Sequence, residues 1–74
     1  MFSYGIGIGE IGKDSLMKDI LKGAVSMGYK SHIVDIGFGL VLMTETKMNP
    51  EHIENIRKIN GVDDIASVRF YRSG

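Results

Sequence analysis

Alternation opens the chain. Phe2, Tyr4, Ile6 and Ile8 fall on one side of an extended segment and Ser3, Gly5, Gly7 and Gly9 on the other, which predicts a strand with one bare side. The period then changes. After a helix cap at Lys13-Asp14-Ser15, Leu16, Met17, Ile20, Leu21, Ala24 and Val25 recur at the offsets of a single buried helical stripe, and Gly28 supplies a stop. Tyr29 to Ile36 returns to β-branched and alternating residues, Gly37-Phe38-Gly39 makes a turn or bulge, and Leu40 to Thr46 forms a third strand. The connection is too short for a crossover helix, so these two strands pair antiparallel. Asn49-Pro50-Glu51 combines a cap, a first-turn proline and a first-turn acid, and Ile53, Ile56 and Ile59 mark a second helix ended by Asn60-Gly61. A last strand is expected from about Ile65 to Arg72, with Ala66, Val68 and Phe70 on one face and Ile65, Ser67, Arg69 and Tyr71 on the other.

The order βαββαβ within 74 residues predicts one domain, residues 1–74, with a ferredoxin-like α+β sandwich: a four-stranded antiparallel sheet carrying both helices on one face. Right-handed crossovers put the first and third strands at the centre. The bare side of the first strand then lies in the middle of the open face. Glycine inside a strand loses backbone entropy and offers no side chain to pack, and it marks a bulge or the close approach of another backbone or ligand. Gly5 and Gly7 are therefore expected to floor a docking surface. Whichever set of the third strand faces out, Leu40 and Leu42 or Val41 and Met43, two aliphatic side chains border the strip, and Val41 and Met43 are the expected pair. Arg69 and Tyr71 from the fourth strand would add a basic and aromatic flank, two residue types enriched in interfaces.

Charge narrows the choice of partner. Nine Lys and Arg balance nine Asp and Glu, which removes the long-range field that polyanion binders carry, so a protein partner or a second copy of the chain, bound through the open sheet face or an edge strand, is expected before RNA. With no cysteine there is no disulfide, thiolate metal site or cysteine nucleophile, and a reducing, cytoplasmic setting fits. The longest stretches free of charge, Met1 to Gly9 and Ile36 to Thr44, fall well short of the roughly 18 to 20 residues of a membrane helix. Met1 to Gly9 alternates with glycine where a signal peptide has a continuous apolar run, and Gly74 follows the last strand closely enough to leave little room for a functional tail.

Gly7-Ile8-Gly9-Glu10-Ile11-Gly12 satisfies G-x-G-x-x-G between a strand and a helix, with Asp35 at the end of a second strand where a ribose-binding acid is sought. Gly9, Gly12 and Lys13 are thus a candidate phosphate loop at a helix N-terminus. Glu10 and Asp14 repel an anion there, and the residues after Asp35 read as hairpin, helix and strand without the parallel units of a dinucleotide crevice. The competing reading makes these glycines a tight turn into the helix. His32 and His52 have no metal-ligand spacing and read as surface residues. Asp63-Asp64, with Glu51 or Glu54, lacks the alternating oxygen ligands of a cation loop and reads as a solvated turn. No nucleophile is paired with a base, so neither catalysis nor a cofactor is expected.

Ile36-Gly37-Phe38-Gly39-Leu40, followed by a helix, Ile59-Asn60-Gly61-Val62 and a strand ending in Val68-Arg69 and Arg72, resembles the second half of the archaeal-type elongation factor 1-beta exchange domain over roughly residues 33 to 72. That resemblance implies the βαββαβ fold and a translation-associated protein partner. Gly37-Phe38-Gly39-Leu40-Val41, with Met43, is also similar to the third-strand motif of RNA recognition motif domains, which implies base stacking. A third likeness, to small-ligand regulatory ACT domains, rests on element order, the glycine loop and the Ile59 to Val62 turn. It implies nucleotide or amino-acid sensing and sheet-to-sheet association.

Overall fold

The computed structural model describes residues 1–9 and 12–68. Along the chain run β1 (Phe2–Ile8), α1 (Lys13–Ser26), β2 (Ser31–Asp35), β3 (Leu40–Thr44), α2 (Pro50–Arg57) and β4 (Val62–Val68). They form one sheet in the order β2-β3-β1-β4 with every neighbouring pair antiparallel. This is the ferredoxin-like layout expected from the element order, with β1 and β3 central.

The core follows the alternation. Tyr4 and Ile6 from β1, Leu40 and Leu42 from β3, and Ile65 from β4 cluster with Leu16, Ile20 and Ala24 of α1 and Ile56 of α2. A buried tyrosine needs a partner for its hydroxyl. Tyr4 meets that need by accepting the backbone N–H of Met48 at 2.8 Å, tying the centre of the sheet to the loop before α2. Thr44, fully buried, donates its hydroxyl to the Thr46 carbonyl at 2.7 Å.

Both helices keep the expected position with altered ends. Gly12 is the N-cap of α1 and no side chain caps it, so Lys13 is already helical rather than part of a cap. The buried stripe is narrower than the sequence suggests: Leu16, Ile20 and Ala24 are covered, Met17 and Leu21 are half-buried, and Val25 is 57% exposed. Asn49 caps α2 as expected, its side chain accepting the N–H of Glu51 at 2.9 Å with Pro50 at the first helical position. That helix stops at Arg57, so Ile59 packs on the core from the turn beyond it.

The last strand departs most from expectation. It begins at Val62, three residues before the expected start, and its pairing with β1 shifts between Gly7 and Ile8. Ile8 lies opposite Val62 and Gly7 opposite Asp64, which leaves Asp63 unpaired as a bulge. One extra residue inverts the phase of alternation. Val62 therefore packs against the core and so does Ile65, which lies opposite Ile6 and is 4% exposed. The expectation that Ile65 shares the open face is corrected: Asp64 and Ala66, both exposed, stand there opposite Gly7 and Gly5.

Candidate interaction face

Opposite the helices, three rows cross the sheet. His32, Met43 and Ser3 lie side by side in the first, and Val34, Val41, Gly5 and Ala66 in the second, with Gly7 and Asp64 beyond them. Of the expected site residues, Gly5, Gly7, Val41 and Met43 are brought together on this one face. Arg69 and Tyr71 lie outside the described residues. Gly7 is exposed, Gly5 and Met43 are half-buried, and Val41 is 4% exposed, so Val41 forms floor rather than contact surface. A Cβ added at Gly7 would meet nothing closer than Asp64 at 3.9 Å, so packing does not require a glycine at that position. Asp64 is the one charged residue among the described strand residues on this side, while Lys30 and Glu45, one of each sign, follow at the far rim. Charge depletion of this kind characterises the centre of protein interfaces.

The hairpin between β2 and β3 adds what the sequence reading left out of the face. Ile36 donates its N–H to the Gly39 carbonyl at 3.1 Å, and Gly37, at the first central position, has φ +92°, a conformation that a side chain disfavours. Gly39 is required for another reason: its Cβ would sit 2.8 Å from the Ile6 carbonyl oxygen. The turn carries Phe38 outward, 88% exposed, and Ile36 at 41%. Between them and the strip lies a groove of about 170 Å³ lined by Gly5, Gly7, Ile36, Phe38 and Gly39. Gly37 and Gly39 on either side of Phe38 mark the turn in the sequence, but not the exposure of the ring.

Of the candidate phosphate loop, Gly9, Gly12 and Lys13 belong to the described residues, and Glu10 and Ile11 lie outside them. The N–H of Gly9 donates to the Gly61 carbonyl at 2.9 Å, and the Asp63 carboxylate lies against the Gly9 backbone, 3.4 Å from where a Cβ would stand. An acid already occupies the space beside the turn. Lys13 is also engaged, its ammonium donating to Asp35 Oδ1 at 3.1 Å and to the Gly37 carbonyl at 2.9 Å. Asp35, the candidate ribose acid, accepts in addition the N–H of Gly37 at 2.8 Å. That backbone N–H and then the Lys13 ammonium hold its carboxyl below the usual 3.8. A first-turn lysine opposes the helix dipole, and this one is directed instead into clamping the turn that presents Phe38.

His32 is exposed on the open face. His52 is half-buried rather than superficial: the Tyr29 hydroxyl accepts the N–H of Asn49 at 2.9 Å and shares a hydrogen bond with Nδ1 of His52, and the two rings meet edge to face. A larger groove of about 370 Å³ runs between α1 and β2, with Met17, Leu21 and Ile33 as its apolar lining and Asp14 and Lys18 beside them. Among the described residues, no three His, Asp or Glu side chains converge to hold a metal, and no helix is long and apolar enough to cross a membrane. Comparison with protein-family models, curated proteins and solved structures yields no match to this chain.

Proposed function

We propose that this chain is a small non-enzymatic interaction domain that binds a protein through the open face of its sheet. The observation carrying this reading is the central strand: Gly5 and Gly7 leave a side-chain-free strip between Val34, Val41 and Met43 on one side and Ala66 on the other. Flat, apolar and nearly uncharged, such a strip suits the packing of another surface onto it. The absence of cysteine fits a reducing cytoplasm, and the likeness of residues 33 to 72 to the elongation factor exchange domain favours a regulatory or translation-associated role. RNA stands second. Phe38 offers a ring for stacking, but the described strand residues include no lysine or arginine to draw phosphates to that side. Small-ligand sensing stands third, because Lys13 and Asp35 already engage each other and the Gly37 backbone, and the Asp63 carboxylate lies beside Gly9.

A photocrosslinking residue at Val34, 41% exposed on the face, tests the proposal against the same residue at Asp19, exposed on α1. In native lysate the Val34 probe should capture protein and the Asp19 probe should not. Gly7→Phe should abolish that capture while circular dichroism and the melting midpoint stay nearly unchanged, because the site has room for a side chain. Equal capture from both positions, or capture indifferent to Gly7→Phe, would overturn the reading.

A further inference from the structure

We infer that the occupant of the face is a second copy of this chain, in a two-fold pair where Phe38 of each copy lies in the groove over Gly5 and Gly7 of the other. This rests on the reading of the face just given and names its partner. A two-fold interface needs one patch to be self-complementary, with residue i meeting j and j meeting i. Here knob and hole adjoin: Phe38, 88% exposed, stands at the rim of the groove of about 170 Å³ that Gly5, Gly7, Ile36 and Gly39 line. Apolar cavities of roughly 150 Å³ accept a benzene ring.

Charge permits the pairing. Nine basic and nine acidic residues leave no net repulsion between copies, and the meeting faces bring only Asp64 from each within the strands described. Area sets the strength. Four strands about 4.8 Å apart and some six residues long give a footprint of roughly 400 Å² on each copy, and each phenyl ring adds about 150 Å². The pair therefore buries a little over about 1,000 Å², the lower limit for a specific interface, which places it among weak, reversible associations.

Sedimentation velocity of the full chain from about 1 μM to 1 mM is the test. The wild type should pass from monomer to dimer across that range, and Phe38→Ser and Gly7→Leu should each weaken association at least tenfold with an unchanged circular dichroism spectrum. Mixing the two variants supplies the decisive arm. A two-fold pair of one Phe38→Ser chain and one Gly7→Leu chain keeps one intact phenyl-in-groove contact, so the mixture should associate more tightly than either variant alone. A dimer that ignores both substitutions, or a mixture no tighter than its parts, overturns the inference. A wild type monomeric throughout also overturns it; the Val34 crosslink then separates the cases, since capture of a different protein leaves the face reading standing and capture of nothing removes both.

Discussion

The hydroxyl of Tyr4 lies inside the core because the N–H of Met48, itself 1% exposed, has its acceptor there. Tyr4→Phe keeps the ring and its packing but strands that donor away from water, which costs about 1 to 3 kcal/mol. Thermal unfolding followed by circular dichroism should show the midpoint falling by about 4 to 8 °C per kcal/mol lost. A midpoint less than about 4 °C below wild type, the smallest shift those two ranges allow, would mean that the loop finds another acceptor. The single residue that most altered the sequence reading is Asp63. Alternation separates Ile65 and Ser67 from Ala66 and Val68 but does not say which set faces in; the set with Ile65 was expected on the open side, whereas the register beyond the bulge at Asp63 turns Ile65 into the core opposite Ile6. No local feature of Val62-Asp63-Asp64 announces which residue will be left unpaired; that is decided by where Gly7 and Ile8 meet the strand.

At the scale of elements, what was readable is what period alone decides. Tyr4 and Ile6 against Gly5 and Gly7, Leu40 and Leu42 against Val41 and Met43, and the Asn49-Pro50-Glu51 cap all appear as the pattern implies. Burial within α1 was less readable, because Met17 and Leu21 carry the same hydrophobicity as Leu16 and Ile20 and differ only in what the neighbouring elements happen to cover. One position in that helix is improvable. Gly23 faces α2, yet an added Cβ would stand 3.5 Å from the Ile56 Cδ1 and 3.6 Å from the Ile59 Cδ1, ordinary contact distances. Gly23→Ala should stabilise the chain by about 0.5 to 1 kcal/mol through helix entropy alone, visible as a higher urea midpoint with unchanged m-value. A lower midpoint would indicate that the helices close up on the missing methyl. The β2–β3 turn supplies a pH dependence. Because Asp35 titrates below its ordinary value, its contribution is complete above about pH 4 and is lost as acid protonates it through the lowered value. Asp35→Asn, which cannot make the Lys13 ion pair, should lose less stability than wild type on going from pH 5 to pH 2, read from urea midpoints. Parallel losses in the two proteins would show that the clamp contributes nothing.

At the scale of the whole molecule, polarity is distributed unevenly: among the described residues, charged side chains lie on the helices, turns and rims, and the broad side of the sheet is left nearly neutral. That segregation was legible for β1, whose glycines declare themselves, and not for Phe38, since exposure of an aromatic depends on a hairpin geometry set by Gly37 and by the approach of Gly39 to the Ile6 carbonyl. The outer borders of the sheet behave unlike its broad side. One border is a strand of only five residues, Ser31–Asp35, ending in a carboxylate; the other opens with a kinked stretch bearing two successive aspartates. Short, twisted and acidic margins discourage lateral growth by backbone pairing. Under the pairing inferred above, copies that meet front to front would exhaust their attachment points after a single encounter, so raising the concentration of this protein should fill solution with closed pairs rather than seed a fibre.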